Sequence, residues 1–203
     1  MCVHLIFNHE KATQCLNYFA QKNGGQINKL KALKLIYFAD RYHFRKYGRF
    51  ITNSDYYAMP HGPVASGVKD IAELSGDWLS EKESTYAAIY LDPIGTYDYE
   101  SIAPIDEVVF SQSDEEALHF AWEKFGNLNR WELRDLTHKY PEWQRHKGIL
   151  ESELTTRIDM DLEDFVDDPE DDDIEKCFEL DDSEKEDRRE HLKELSFIEA
   201  LWS

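Results

Sequence analysis

Asp40 and His43 are the residues best placed for chemistry in this sequence. They lie three positions apart, so a helix there would carry both side chains on one face. His61 would join them if the turn it begins with Gly62 and Pro63 folded back onto that helix. Carboxylate and imidazole groups bind metals and act as general acids and bases, so a metal site or an acid–base pair is one interpretation.

A structural role is the interpretation that we favour for these three residues. A metal site needs a third and a fourth ligand, and the spacing identifies neither. Asp40 and His43 would instead form a hydrogen-bonded cluster that pins the turn at His61 to the helix. Recognition of a partner protein is the remaining alternative.

The sequence lacks the other common patterns of catalytic and cofactor sites. Gly24 and Gly25 are not followed by the residues of a phosphate-binding loop. No Ser or Cys nucleophile has a recognisable base nearby. The cysteines are Cys2, Cys15 and Cys177, an odd number without a C-x-x-C pair, which indicates neither a disulfide framework nor a zinc site. We therefore expect a protein that is not an enzyme and that binds no cofactor and no metal.

The negative charge is concentrated in the last quarter of the chain. Residues 159–203 carry 20 acidic against 5 basic side chains, whereas residues 1–158 carry 22 against 18. This asymmetry predicts a nearly neutral domain over residues 1–150 and an acidic tail over residues 151–203. Such a tail repels nucleic acid and anionic membranes and attracts basic protein surfaces. It either masks a basic cleft of a partner or serves only solubility.

Within the acidic tail, residues 159–182 are expected to have little structure of their own, because their aspartates cannot bury enough apolar area. A capping box at Ser183 and Glu186 then predicts a terminal amphipathic helix. Its apolar side chains include Leu192, and we expect the tail to make contacts through Leu195, Ile198 and Trp202.

Seven cations lie between residues 27 and 49, with Asp40 as the only acid: Lys29, Lys31, Lys34, Arg41, Arg45, Lys46 and Arg49. A basic helix with tyrosines can bind phosphate or RNA. The alternatives are pairing with the acidic tail or with acids of a partner, and a plain solvated face. The overall negative charge argues against nucleic acid as a partner.

The elements that position these residues are mostly helical. Apolar spacing predicts helices over residues 10–22 and from the N-cap Asn28 to Tyr47, where the second is apolar almost all round and should be the buried centre. Residues 50–59 suit extended segments, and residues 64–74 a helix. Strand-like residues follow at Ala88, Ile89, Tyr90 and Leu91 and at Val108, Val109 and Phe110.

Further helices are predicted after a capping box at Ser113 and Glu116, over residues 130–139 and near residues 142–146. The expected fold class is mainly α (α+β): a compact helical domain around a central buried helix, with a small β element. Trp122, Trp131 and Trp143 are expected in the core, and the alternative is that they anchor an interface, where tryptophan is a frequent hot-spot residue. No apolar run is long enough to cross a membrane and no signal peptide is recognisable, so we expect a cytoplasmic protein without a membrane partner.

Two stretches of the sequence carry a resemblance to a known family. The first reads Lys34-Leu35-Ile36-Tyr37-Phe38-Ala39-Asp40-Arg41-Tyr42-His43 and continues as Arg45-Lys46-Tyr47-Gly48-Arg49. The second comprises Asp55-Tyr56-Tyr57-Ala58-Met59 and His61-Gly62-Pro63-Val64. With their spacing, they resemble the Panacea (SocA-like, phage GepA-like) antitoxin domain over about residues 8–145. Pro60 and Phe50 depart from the residues that relatives more often carry, which bears on partner specificity.

The resemblance implies an antitoxin that neutralises a cognate protein toxin by direct binding. The SocA-like branch also implies a cytosolic protease as a second partner, to which the toxin is delivered. A phage-associated regulatory or host-interaction protein without a dedicated toxin is the alternative. We expect partner-binding or fold-critical roles for eight side chains of the matching stretches: Tyr37, Asp40, Arg41, His43, Tyr47, Arg49, His61 and Pro63.

Overall fold

The computed structural model describes residues 5–74 and 78–201. Its α-helices are α1 (His9–Lys22), α2 (Lys29–Tyr47), α3 (Ser66–Glu73), α4 (Glu81–Tyr90), α5 (Gln112–Phe125), α6 (Arg130–Thr137), α7 (Pro141–Gln144), α8 (Lys147–Glu151) and α9 (Asp182–Ala200). Its strands are β1 (Gln26–Asn28), β2 (Tyr56–Met59), β3 (Gly62–Ala65), β4 (Leu91–Ile94), β5 (Asp98–Ser101) and β6 (Ile158–Asp159). Short 3-10 helices cover Glu107–Val109 and Leu162–Val166. The predicted mainly α fold with a small β element is confirmed.

Helix α2 is the buried centre of the fold, as its sequence predicts. It begins after Asn28, whose side chain accepts a hydrogen bond from the backbone amide of Leu30, and it ends at Gly48, where φ is 75°. Every residue from Ala32 to Arg45 is buried. Helices α1, α5 and α6 pack around it. A helix covered on all sides leaves its polar side chains no solvent, so each of them must find a partner inside the protein.

Two small antiparallel sheets flank the helices, in the strand orders β1-β5-β4 and β3-β2-β6. In the second sheet, β2 and β3 form a hairpin whose turn contains Pro60 and His61. Strand β6 comes from the acidic tail and pairs with the outer side of β2, so that Ala58 lies opposite Ile158. The third strand of this sheet thus comes from a part of the chain about 100 residues after the hairpin.

The predicted strand at residues 88–91 is wrong for its first three residues. Ser80 and Glu83 form a reciprocal capping box that starts α4, and the helix runs on through Ala88, Ile89 and Tyr90. Only Leu91 begins a strand. The cap outweighs the β propensity of these apolar residues because strand propensity depends strongly on context.

Other predicted boundaries shift by a few residues. Val64 is in β3 and not in a helix. The predicted strand at Val108, Val109 and Phe110 is wrong, because the first two lie in a 3-10 helix and Phe110 caps its end. The box that starts α5 joins Ser111 to Asp114, two residues before the predicted Ser113. The box that starts α9 joins Asp181 to Glu184, two residues before the predicted Ser183. Before α5, Ser111 and Ser113 are both possible capping residues, and before α9 an aspartate takes the place of serine. The sequence therefore leaves the capping residue of both helices ambiguous.

The prediction that residues 159–182 have little structure of their own is wrong. We call residues 159–182 the acidic segment. Seven of its apolar side chains are buried in the same core as the helices: Met160, Leu162, Phe165, Val166, Ile174, Cys177 and Leu180. Phe165 is fully buried, and its ring lies 5.0–5.7 Å from those of Tyr37, Phe50 and Tyr56. Apolar residues spaced between the carboxylates therefore anchor the segment.

The terminal helix α9 packs on the domain as far as Leu195. Leu192 is fully buried and Leu195 is half-buried, whereas Ile198 is 49% exposed. Trp202, the third predicted contact, lies outside the described residues. Within residues 5–74 and 78–201, no helix has the length and apolar content that a bilayer crossing requires.

Candidate partner-binding site

Asp40 holds the chain that follows α2. Its Oδ1 accepts hydrogen bonds from the backbone amides of Ile51 (2.7 Å) and Thr52 (3.2 Å). Its Oδ2 accepts from the Thr52 hydroxyl (2.8 Å) and the Tyr56 hydroxyl (3.0 Å). Complete burial raises the pKa of Asp40 to about 6, although these four bonds oppose the rise. The carboxyl group therefore serves to fix the segment that leads into β2.

His43 joins the end of α2 to the start of α5. Its Nδ1 lies 2.6 Å from the carbonyl oxygen of Arg49, which only accepts hydrogen bonds, so Nδ1 carries a proton. Its Nε2 lies 3.0 Å from the Ser113 hydroxyl and 3.2 Å from Asp114 Oδ1. Burial lowers the pKa of His43 to about 4, although Asp114 acts in the opposite direction. This ring is a structural link with no open face.

His61 does not approach Asp40 or His43, so the structure contradicts the metal or acid–base cluster. It is exposed in the β2–β3 turn, and its ring lies edge-on to Trp131 at 5.9 Å. Among the described residues, no group of three or more His, Cys, Asp or Glu side chains is placed to hold a metal ion. Asp40 and His43 hold residues 49–56 and the start of α5 by hydrogen bonds, so the prediction that they hold the turn at His61 is wrong.

Lys34 holds the turn instead. Its buried Nζ donates a hydrogen bond of 2.6 Å to the carbonyl oxygen of Pro63, and burial lowers the pKa of Lys34 to about 7. Gly62 has a φ of +94°, and a Cβ atom there would lie 2.6 Å from Thr137 Oγ1 and 2.9 Å from Lys34 Nζ. Only glycine fits this position, because its φ is positive and the side chains of α2 and α6 leave no space for a Cβ atom.

Tyr37 and Arg41 form a buried cluster with Glu142. The Tyr37 hydroxyl donates to Glu142 Oε1 at 2.5 Å, and Arg41 Nη1 donates to the same oxygen at 2.8 Å. Arg41 also donates to the carbonyl oxygens of Phe165 (2.7 Å) and Asp167 (2.5 Å), and it lies over the ring of Tyr140. Both members of the ion pair are fully buried. Arg41 therefore binds the backbone of the acidic segment and contacts no solvent.

Arg45 continues this attachment of the acidic segment one turn further along α2. It donates to the carbonyl oxygens of Val166 and Phe178 and to Asp168 Oδ1 at 2.6 Å. The second oxygen of Asp168 accepts from Lys185 at 2.8 Å. Of the alternatives for the basic residues, charge pairing with the acidic tail is therefore correct for Arg45. Arg41 pairs instead with Glu142, outside the tail, and meets the tail only through backbone carbonyl oxygens. The solvated face is wrong for both arginines and for Lys34, since all three side chains are buried.

The partly exposed members of the predicted site lie at the rim of α5. The Tyr47 hydroxyl donates to Glu116 Oε2 at 2.5 Å, and Lys46 pairs with the same carboxylate. Arg49 donates to the Ser113 hydroxyl at 2.9 Å, and its side chain is 41% exposed. These groups support the junction between α2 and α5 while remaining open to a partner.

A second exposed surface is centred on Trp131, for which an interface role is only the alternative prediction from the sequence. We call His61, Arg130, Trp131 and Arg134 the Trp131 face, because the other three side chains lie against the Trp131 ring. Trp131 is 44% exposed, which contradicts its expected place in the core, whereas Trp143 is buried and Trp122 is half-buried. The guanidinium groups of Arg130 and Arg134 lie 5.1 and 5.0 Å from its ring.

A helical-face analysis of α6 would have found this exposed tryptophan. Leu133 and Thr137 lie four residues apart on the buried side of α6. Trp131 is two positions from Leu133, which is about 200° around the helix, and it therefore points away from the core. Of the two departures from the family pattern, Pro60 is exposed in the β2–β3 turn, whereas Phe50 is buried and stacks on Phe44.

The sequence matches the family described as antitoxin SocA-like, Panacea domain, over residues 33–144. The match covers more than half of the 203 residues and includes α2 from Leu33 onward, the β2–β3 hairpin and the Trp131 face, but it ends before the acidic tail. No curated protein and no solved structure matches the chain. From the extent of the family match, this chain belongs to the SocA-like antitoxins and carries a Panacea domain.

Proposed function

We propose that the protein is an antitoxin that neutralises a cognate toxin by binding it directly. The observation that carries this proposal is the family match over residues 33–144. Cytoplasmic action and the absence of an enzymatic reaction belong to the same proposal.

The chemistry of the matched domain supports a role in binding. Asp40, His43 and Arg41 each occupy a buried position and hold backbone or side chains of the fold. In the described part of the chain, the accessible side chains of the two motifs include Tyr47 and Arg49 at the rim of α5 and His61 in the Trp131 face. Aromatic side chains and arginine are enriched in protein–protein interfaces.

The acidic segment contributes less free charge to a partner than its sequence indicates. Asp164 and Asp167 face Arg145, and Asp168 faces Arg45 and Lys185. The carboxylates at Asp171, Asp172 and Asp173 are exposed. If the segment masks a basic cleft of the toxin, exposed carboxylates such as these supply the attraction. Their other role would be solubility. Delivery of the toxin to a cytosolic protease is compatible with either.

The test is co-expression with the product of the gene adjacent to the one that encodes this chain. We expect this product to stop growth when expressed alone and to be harmless with the antitoxin, and we expect the two proteins to purify together. A neighbour that is harmless alone, together with a stable complex between this chain and a host protein, would favour the alternative of a host-interaction protein. Replacing Asp171, Asp172 and Asp173 with Asn tests masking by these three carboxylates, because unchanged protection by this variant excludes them as the masking groups.

A further inference from the structure

We propose that the Trp131 face, with the hollow beside it, is the docking surface for the toxin and that it takes an acidic segment of that protein. The proposal rests on the proposed function for the identity of the partner. Its evidence is the exposure, the charge and the rigidity of this face.

Trp131 is exposed yet fixed in position. It is the second residue of α6, which begins with a reciprocal capping box between Asn129 and Glu132. Two guanidinium groups flank its ring, and the ring of His61 approaches it from the β2–β3 turn. An indole held in this way loses little conformational freedom when a partner packs on it, which lowers the cost of binding. Tryptophan and arginine are also the residues most enriched among binding hot spots.

The charge next to Trp131 is opposite to that of the whole chain. A hollow of about 440 Å³ lies beside the indole and is lined by Asn23, Asn28, Lys31, Asn129, Arg130 and Trp131. It contains two cations, three amides and no carboxylate, in a chain with a formal charge of -19. Lys31 is fixed there by hydrogen bonds to Gly126 O (2.7 Å) and Asn23 Oδ1 (3.0 Å).

Arg130 is the cation that remains available. Within residues 5–74 and 78–201 it has no carboxylate partner, whereas the neighbouring Arg134 pairs with Asp135. Arg130 stacks against the indole, so a carboxylate that binds it would bring an adjacent apolar side chain onto the exposed ring. The geometry therefore fits a peptide segment that carries a carboxylate beside an apolar or aromatic residue.

A protein segment fits this surface better than a nucleic acid. A polyanion would have to approach a chain with 42 acidic residues against 23 basic ones, and long-range repulsion opposes that approach. A short acidic segment exposes only a few charges, and those charges meet Lys31 and Arg130 directly. Charge complementarity over such a patch chiefly raises the rate of association.

The test uses the full-length protein and the product of the adjacent gene as the probe. Two variants alter the face, Trp131→Ala and Arg130→Glu. Two matched controls make the same kinds of change elsewhere: Val108→Ala removes a side chain that is 93% exposed, and Lys82→Glu reverses a charge that is 76% exposed on α4. Thermal unfolding checks that all four proteins remain folded. Because Arg130 is exposed, its variant keeps the test valid if Trp131→Ala proves unstable.

We expect Trp131→Ala to weaken binding about tenfold or more, as truncation of a hot-spot residue does. Arg130→Glu should slow association and reduce its dependence on salt, and both controls should bind like the wild type. If the wild type protects cells and binds while both face variants bind equally well, the docking surface is elsewhere and the proposed function stands. Failure of the wild type to bind or protect overturns both proposals. Tight binding of a single-stranded RNA 20-mer that is lost in Trp131→Ala would assign the face to nucleic acid instead.

Discussion

Replacing Phe165 tests whether the acidic segment is part of the folded core. Its side chain is fully buried against the rings of Tyr37, Phe50 and Tyr56, and its carbonyl oxygen accepts a hydrogen bond from Arg41. Truncating a buried phenylalanine to alanine costs about 3–5 kcal/mol, since it removes apolar contacts and leaves a cavity. A whole domain has a stability of only about 5–15 kcal/mol, so this loss is a large fraction of the total.

The assay for Phe165→Ala is urea unfolding followed by circular dichroism, together with limited proteolysis. We expect a lower urea midpoint and faster cleavage within residues 151–203. Phe197→Ala is the matched control, because this phenylalanine lies on α9 and is 67% exposed. Its change should stay within about 0.5 kcal/mol. A loss below about 1 kcal/mol for Phe165→Ala would refute the packing of the acidic segment against the core.

Three further predictions concern α2 and the turn that it holds. Arg41→Met should lower the free energy of unfolding in urea by about 3–5 kcal/mol, because it leaves Glu142 buried and unpaired. The double variant Arg41→Met/Glu142→Gln should recover part of that loss. Equal losses in the single and the double variant would contradict the pairing. Lys34 is neutral in the folded protein and protonated in the unfolded chain above pH 7, so the free energy of unfolding should rise by about 1 kcal/mol between pH 7 and 8. Lys34→Met should lack that rise, and parallel pH profiles of the two proteins would contradict it. Gly62→Ala should lower stability by about 1–3 kcal/mol in thermal unfolding, because its φ is +94° and its surroundings leave no room, whereas Gly148→Ala on α8 should be neutral or stabilising.

The sequence predicts the central helix well because its signals are local. Asn28 and Gly48 mark its ends, and the apolar residues between them leave it no solvent-facing side. The position of α4 is missed because Ser80 and Glu83 form a cap without a strong apolar period behind it. Apolar content alone does not separate a short helix from a strand there.

The partners of the site residues are less predictable, since they come from distant parts of the chain. Asp40 and His43 share a helix but bind different segments, and no spacing rule assigns the Arg49 carbonyl oxygen to His43. Arg41 reaches the carbonyl oxygens of residues 165 and 167 across more than 120 positions. The composition of the acidic segment shows only its charge, and the packing of its apolar side chains shows that it is part of the core.

The most direct test of the central claim is a titration of purified toxin with increasing amounts of this protein. An antitoxin that acts by occupying its partner should reduce toxin activity linearly and reach zero at a fixed molar equivalence, with no further loss over time. If a small fraction of an equivalent instead inactivates all of the toxin progressively, the protein turns over its target, and neutralisation by binding alone is contradicted.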